Sequence, residues 1–181
     1  MKKWWVMCIG IFALSFPAMA DDYQATIQDF KKSDRTTSFF NNAYGYAVFP
    51  TIGKGGIGIG GAYGEGKVYR GGQTTGTVKM GQVTIGFQLG GQAFSQIVFL
   101  QDKRAYDEFT SGSFEFGAQA SAVALTLGAS AQAGTSGTGA AAGSEQAKAN
   151  YVSGYAVFTL AKGGLMYEAA IGGQKFSFTA N

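Results

Sequence analysis

Residues 45–66, GYAVFPTIGKGGIGIGGAYGEG, decide the fold, because a shortened copy of this stretch returns at residues 154–174 as GYAVFTLAKGGLMYEAAIGGQ. In each copy a β-prone aromatic pentapeptide is followed by a Lys-Gly-Gly step and then by an apolar run that glycines interrupt. Apolar residues alternate with glycine in the first copy, and this spacing of two is typical of a strand. The repeat therefore predicts two related strand–turn–strand units within one sheet.

The residues between the two copies continue the strand pattern. Alternation in GQVTIGFQL, residues 81–89, predicts a strand that buries Val83 on one face and exposes Gln82 on the other. The apolar run at residues 93–100 predicts a strand that is buried on both faces. The chain contains 29 glycines, which favour sharp coiling of a sheet. We predict a curled, glycine-rich antiparallel sheet of roughly eight to ten strands, or a partly closed β-barrel.

Two segments have a helical period instead. In residues 22–43, apolar side chains fall on one face, which predicts a helix that frays around Ser33 and then resumes for a short turn. Residues 102–109 predict a short helix with Asp102 as its N-cap. The predicted fold class is therefore α+β and predominantly β, with an N-terminal helix and one short helix within the sheet region.

Residues 1–20 predict a cleaved signal peptide. Two lysines precede an apolar stretch, and the small residues 18–20 form a cleavage site. The only cysteine of the chain, Cys8, lies in this segment among residues that do not resemble a lipidation site. We therefore predict export to the periplasm of a Gram-negative type of envelope, no lipid anchor, and a single domain over residues 21–181.

The composition excludes several kinds of chemistry. The chain has no histidine and its one cysteine lies in the predicted leader, so neither a Ser-His-Asp nor a Cys-His arrangement can form. Zinc sites of the usual kind are excluded for the same reason. The 14 basic and 11 acidic residues nearly balance, which leaves no global field to attract nucleic acid. We predict a protein that is not an enzyme, uses no cofactor or metal, and binds no nucleic acid.

Two further features have a structural and a chemical interpretation. Gly56, Gly58 and Gly61 match the spacing of a dinucleotide-binding loop, but no helical period follows them, so we interpret them as glycines that bend a strand. Glu168 lies among apolar residues, which could raise its pKa and suit it to acid–base chemistry. The preferred interpretation is a strand position that faces solvent.

Three segments resemble the SYLF domain family: residues 45–69, the block GQVTIGFQLGGQAFSQIVFL at 81–100, and the closing GYAVFTLAKGGLMYEAAIGG at 154–173. The resemblance extends over residues 36–174. The chain departs from eukaryotic members in GGQTTGTVKMG after the first glycine run and in the Gly/Ala/Thr-rich loop at 134–143. The resemblance implies association with phospholipid, through anionic headgroups. These departures fit a secreted bacterial branch, for which actin is not an expected partner.

Lys54 and Lys162 occupy matching places in the two copies, and each is followed by two glycines. A glycine backbone would let an ammonium group and amide N–H groups approach a phosphate together. The hypothetical headgroup site consists of Lys54, Gly55, Gly56, Lys162, Gly163 and Gly164. The competing interpretation is that both lysines mark exposed turns.

Lys31, Lys32 and Arg35 form a second candidate surface, because an amphipathic helix could hold them against headgroups. A helix that merely caps the sheet is the alternative.

Two other functions share the same sequence features. One is an integral outer-membrane β-barrel, which also has a leader, alternating strands and abundant glycine. The other is a structural or assembly protein of the envelope that presents exposed β edges.

Overall fold

The computed structural model of the protein describes residues 18–57, 59–85, 90–116, 124–127, 150–163 and 173–181. These residues form three helices and eight strands. In chain order the elements are α1 (Ala18–Lys31), α2 (Asp34–Asn42), β1 (Gly45–Ile57), β2 (Ile59–Arg70), β3 (Gln73–Ile85), β4 (Gly90–Leu100), α3 (Lys103–Phe109), β5 (Ser113–Glu115), β6 (Ala124–Leu127), β7 (Tyr155–Gly163) and β8 (Gln174–Ala180).

The strands form one sheet in the order β5-β8-β3-β2-β1-β4-β7-β6. Neighbouring strands are antiparallel, apart from β6, which runs parallel to β7. The prediction of a predominantly β protein with a glycine-rich antiparallel sheet is therefore confirmed. Most of the second half of the repeat copy at 154–174 and the Gly/Ala/Thr-rich loop at 134–143 lie outside the described residues.

The sheet curls, so that strands far apart in this order meet on its concave face. The ring centroid of Tyr155, on β7, lies 5.0 Å from that of Phe114 on β5 and 5.5 Å from that of Phe116. The side-chain amide of Gln96 on β4 donates to Gln174 on β8 at 3.1 Å. The two described ends of the sheet, β5 and β6, do not pair with each other, so the sheet is curled but not closed.

Each face of the sheet carries its own apolar core. Side chains from the sheet and from α3 fill the concave face, among them Phe49, Ile52, Phe94, Tyr106, Phe109 and Phe176. On the opposite side, here called the outer face, α1 and α2 cover part of the sheet with a second core that contains Tyr23, Ile27, Phe30, Phe39, Phe99 and Phe158. Residues 94–100 of β4 are all buried, which confirms the prediction of a strand with two buried faces.

The break between α1 and α2 and the start of α3 lie where local sequence signals predict, whereas α1 begins at Ala18, before the predicted start at residue 22. α1 ends at Lys31, and Ser33 is the N-cap residue of α2. The buried hydroxyl of Thr36 donates to the carbonyl oxygens of Phe30 and Ser33, which ties the two helices together. At α3, the carboxylate of Asp102 accepts a hydrogen bond from the Ala105 amide at 2.8 Å, as expected of an N-cap.

Glycines on the concave side of β2 make room for large side chains of β1. A Cβ atom at Gly66 would lie 2.7 Å from both the Phe49 ring and the Val48 carbonyl oxygen. A Cβ atom at Gly64 would lie 2.5 Å from Cγ1 of Ile52. These two glycines therefore allow Phe49 and Ile52 to enter the concave core.

At β3, the predicted assignment of faces is wrong at the start of the alternating segment. Gln82 is 5% exposed, whereas Val83 is 73% exposed. Gln82 lies on the concave face, directly opposite Gln174, where buried amides occur together. Val83 lies on the outer face, beyond the part that α1 and α2 cover. The strand itself is confirmed as far as Ile85, and residues 86–89 lie outside the described residues.

Tyr155 connects β7 to α3 through a carboxylate. Its hydroxyl donates to Oε2 of Glu108 at 2.9 Å, and Nη1 of Arg104 donates to Oε1 at 2.8 Å. The hydrogen bonds from Tyr155 and Arg104 hold the pKa of Glu108 below its ordinary value. Burial, together with the hydrogen bond to Glu108, raises the pKa of Tyr155.

We expect this network to contribute less to stability as the pH falls. Glu108 has a lower pKa in the folded chain than in the unfolded chain, so its contribution is complete above the unfolded pKa and is lost as the pH falls through the folded pKa. The difference in the free energy of unfolding between wild type and Glu108→Gln should therefore shrink between neutral pH and about pH 3. Urea denaturation at a series of pH values measures it.

Glu115→Gln is the matched control, because the Glu115 carboxylate makes an exposed ion pair with Lys175 at 3.5 Å. Exposed pairs of this kind contribute little, so this variant should differ from wild type by a small amount at every pH. A Glu108→Gln difference that stays constant across the pH range would contradict the proposed role of the network.

Candidate functional site

The two copies of the repeat lie on either side of β4. Both β1 and β7 are antiparallel to β4, so the copies run parallel to each other without pairing directly. Gly45 and Tyr155 both pair with Leu100. Because Gly45 corresponds to Gly154 in the repeat, the two copies are offset by one residue across the sheet.

This offset turns equivalent side chains of the two copies to opposite faces. Tyr46 packs against the outer core, whereas Tyr155 belongs to the concave core. The reverse holds for the phenylalanines: Phe49 belongs to the concave core, whereas its counterpart Phe158 belongs to the outer core. An offset of one residue has this effect because successive side chains of a strand point to opposite faces. The repeat thus supplies both cores and does not form a symmetric site.

Lys54 lies on the concave side of β1. It pairs with Ala62 on β2 and with Gln92 on β4. Directly paired residues project to the same face, and Ala62 belongs to the concave core. Lys54 itself is half-buried. Its two following glycines pair with glycines of β2 and β4, at the glycine-rich end of these three strands.

Lys162 lies at an irregularity in β7 and contacts the first copy of the repeat. Its Nζ donates to Oγ1 of Thr51 at 3.3 Å, across the intervening β4. Thr51 lies in the irregular part of β1, between the regularly paired Phe49 and Ile52. The structure therefore brings Lys162 to the first copy, but to Thr51 and not to Lys54.

The remaining predicted residues of the second copy are only partly described. Gly163 pairs with Ala93 at the end of β7. Gly164 and Glu168 lie outside the described residues.

Beyond α1 and α2, the outer face of the sheet consists largely of glycine. One row across the strands contains Ala93, Gly53, Tyr63, Gly81 and Lys175, and the next contains Gly91, Gly55, Gly61 and Val83. A Cβ atom at Gly53 or Gly81 would meet no atom of the described residues within 4 Å. Tyr63 and Val83 are 54% and 73% exposed. We call this surface the glycine face, and define it as Gly53, Gly55, Gly61, Tyr63, Gly81, Val83 and Gly91.

Basic side chains of the strands border the glycine face. Lys79 lies 3.8 Å from the carboxylate of Glu65, and its side chain is 65% exposed. Lys175 has an exposed ion pair of the same kind with Glu115. Pairs with this exposure hold their partners weakly, so both ammonium groups remain accessible to other anions.

The basic residues predicted on the N-terminal helices lie on the same side of the sheet. Lys31, Lys32 and Arg35 are all exposed. Lys31 Nζ lies 5.4 Å from the ring centroid of Phe40, and Lys32 forms an ion pair with Asp29 at 2.7 Å. The structure thus places these residues and the glycine face on one side, with Lys54 on the other.

Sequence reasoning missed Tyr63 and Val83 as surface residues. The sequence does indicate that Tyr63 and the charged Glu65 lie on the same face of the sheet, because residues two apart on a strand project together. The same rule leaves open which face is covered, because that depends on where α1 and α2 pack.

Within the described parts of the chain, no cluster of acidic, histidine or cysteine side chains is arranged to hold a metal ion. None of the described helices combines the length and the apolar character that crossing a membrane requires.

Comparison with known families agrees with the resemblance of the sequence. The family model Ysc84, described as Las17-binding protein actin regulator, matches residues 81–180, which is more than half of the chain. The matched range includes the 81–100 block and the second copy of the repeat, whereas the first copy precedes it. No curated protein matches the chain. The chain therefore belongs to the Ysc84 family, the family of the SYLF domain.

Proposed function

We propose that this protein is an exported, non-enzymatic lipid-binding protein that associates with phospholipid through the outer side of its sheet. Membership of the Ysc84 family supports association with lipids in general terms. The observation that carries the proposal is the glycine face, where Val83 and Tyr63 project from glycine-rich strands that none of the described helices covers. Large apolar side chains exposed together commonly mark a surface of interaction.

The physical properties of the glycine face suit the interface of a bilayer. Its backbone amides and carbonyls are already paired within the sheet, so covering it with lipid leaves few polar groups without partners. Tyrosine is favoured at the boundary between headgroups and acyl chains, and valine can enter the apolar layer. A surface of glycine lets headgroups approach the backbone closely, because no side chains hold them away.

The surrounding charges favour anionic headgroups. Lys162, Lys79 and Lys175 border or approach the glycine face, and each exposed cation near an anionic surface contributes about 1 kcal/mol. The basic residues of α1 and α2 lie on the same side. Actin is not an expected partner of this chain, because residues 1–20 predict export from the compartment where such a partner would act.

Co-sedimentation with vesicles tests the proposed surface. We expect the processed protein to bind vesicles that contain phosphatidylglycerol. Val83→Glu should weaken binding about tenfold, because it removes an apolar contact and adds a repelled charge, and Lys162→Glu should have a similar effect. Lys54→Glu should have a smaller effect, since Lys54 lies on the concave side.

Two substitutions on other parts of the molecule serve as controls. Val152 is 40% exposed and lies beside the turn that leads into β7, so Val152→Glu makes the same chemical change away from the glycine face. Lys103, on α3, is 70% exposed, so Lys103→Glu makes the matching charge reversal. Equal losses of binding in the test and control variants would show that net charge, and not this surface, governs association.

A further inference from the structure

A pocket of about 430 Å³ opens where α1 meets the glycine face. It lies between the first part of α1 and the irregular segment of β1, and β2 forms its remaining wall. The side chains that line it include Asp22, Tyr23, Thr51, Tyr63 and Glu65. Sites for small ligands commonly have volumes of about 300–1,000 Å³, so the pocket is large enough for a lipid headgroup.

The α1 and β2 side of the pocket, here called its acidic end, presents two carboxylates, those of Asp22 and Glu65. Glu65 accepts a hydrogen bond from the Tyr63 hydroxyl at 2.7 Å, and Lys79 Nζ lies 3.8 Å from the same oxygen, Oε1. Among the described residues, Asp22 makes no ion pair. Burial, then the negative charge of Glu65, raises the pKa of Tyr23, and Asp22 acts in the same direction. Both carboxylates therefore act on the same side chain, Tyr23, which lines the pocket.

Two aromatic rings accompany these carboxylates. Tyr23 is 8% exposed and Tyr63 is 54% exposed. The Tyr23 ring already attracts one cation of the chain, since Lys67 Nζ lies 4.6 Å from its centroid. Aromatic faces together with carboxylates are the groups that proteins use to bind organic ammonium ions. The acidic end is thus suited to an amine.

The β1 side of the pocket, next to the acidic end, has the opposite charge. Thr51 lines the pocket, and its hydroxyl accepts a hydrogen bond from Lys162 Nζ at 3.3 Å. Both side chains are exposed, so the ammonium group can also reach an anion bound beside Thr51. A ligand that carries an amine and a phosphate a few bonds apart would meet a complementary group at each end.

We infer that this pocket binds the headgroup of a zwitterionic aminophospholipid. The ammonium group lies between Asp22 and Glu65 beside Tyr63, and the phosphate lies at Lys162 and Thr51. The inference rests on the proposed lipid association and adds a class of headgroup that the pocket selects, beside the anionic lipids that the lysines around the glycine face attract. Lysines alone would bind any phosphate-bearing lipid, whereas the acidic end distinguishes headgroups with an amine from headgroups without one.

Titration with water-soluble headgroups tests this inference apart from membranes. Glycerophosphoethanolamine and glycerophosphoglycerol share the phosphate and differ in the amine. We expect the processed protein to bind the first about fivefold more tightly in calorimetry, the size of one partly exposed cation–π and charge contact. Glu65→Gln should reduce this preference, because the amide keeps an acceptor for Tyr63 but loses the charge, and Asp22→Asn/Glu65→Gln should abolish it.

Two further variants separate the ends of the pocket. Lys162→Gln should weaken both ligands by a similar factor, since it removes the contact to their shared phosphate. Glu115→Gln should leave the preference unchanged. Glu115 matches Glu65 closely, because its side chain is 52% exposed against 51% and it also pairs with a lysine, but it lies outside the pocket. Equal affinity of wild type for the two headgroups, or a preference that survives the loss of both carboxylates, would overturn the inference.

Vesicle binding distinguishes failure of this inference from failure of the proposed function. Vesicles of phosphatidylglycerol alone are compared with vesicles that also contain phosphatidylethanolamine. Preference among the soluble headgroups without binding to either vesicle would refute the membrane surface and support the pocket. Binding to both vesicles without any preference among soluble headgroups would support the surface and refute the pocket.

Discussion

Replacing Phe39 with alanine is expected to lower the free energy of unfolding by about 3–5 kcal/mol, the usual cost of truncating a buried phenylalanine. Phe39 is 5% exposed. Its ring centroid lies 5.4 Å from that of Phe99, 4.9 Å from that of Tyr151 and 5.1 Å from that of Phe158. Alanine would leave a cavity between α2 and the sheet and would remove all three ring contacts. Chemical denaturation measures the loss.

The neighbouring Phe40 provides the control for this prediction. It is half-buried and contacts Tyr46 and Phe99 with ring centroids 5.4 Å and 4.9 Å apart. Phe40→Ala should therefore cost clearly less than Phe39→Ala. Hydrogen exchange should also become faster in α1 and α2 of the Phe39 variant, because their main anchor to the sheet is lost. Similar costs for the two variants would argue against Phe39 as that anchor.

Gly66→Val is expected to destabilise the protein by at least about 1–3 kcal/mol, the range for overpacking a filled core. The new Cβ would lie 2.7 Å from the Val48 carbonyl oxygen, a backbone atom that pairing within the sheet holds in place. It would lie equally close to the Phe49 ring, which is fully buried. Neither neighbour can move without disturbing β1. Thermal or urea denaturation of the purified variant tests the expectation.

A glycine on the opposite side of the sheet provides the contrast. Gly81 lies on the glycine face, and a Cβ atom there would meet no described atom within 4 Å. Gly81→Ala should be neutral, or stabilising by up to about 1 kcal/mol, because alanine reduces the entropy of the unfolded chain. If Gly81→Ala and Gly66→Val proved equally destabilising, the difference between the two faces of the sheet would be refuted.

The parts of the fold that depend on nearby residues could be predicted from sequence. The break at Ser33 and the N-cap at Asp102 depend on contacts within a few positions, and the structure confirms both. The curling of the sheet follows from its glycine content. The faces of the strands could not be assigned, because alternation separates two sets of residues without showing which set another element covers. Val83 was misassigned for that reason.

The candidate site depended even more on distant contacts. The matching places of Lys54 and Lys162 in the repeat suggested proximity, but each copy pairs with β4 at a different offset. The contact between Lys162 and Thr51 joins residues 111 positions apart. The pocket depends on how α1 lies against β1 and β2, and no local pattern contains that information. Its acidic and aromatic residues are ordinary in sequence and become a group only through packing.

The offset between the two copies also supplies a pair of internal reporters. Residues 45–49 and 154–158 have the same sequence, GYAVF, but their tyrosines report on different cores: Tyr46 on the one beneath α1 and α2, and Tyr155 on the one within the curl. Labelled tyrosines at these positions have the same immediate neighbours in the unfolded chain, so any difference between their signals during unfolding originates in the folded structure. Following both would show whether the helical layer separates from the sheet before the sheet itself uncurls.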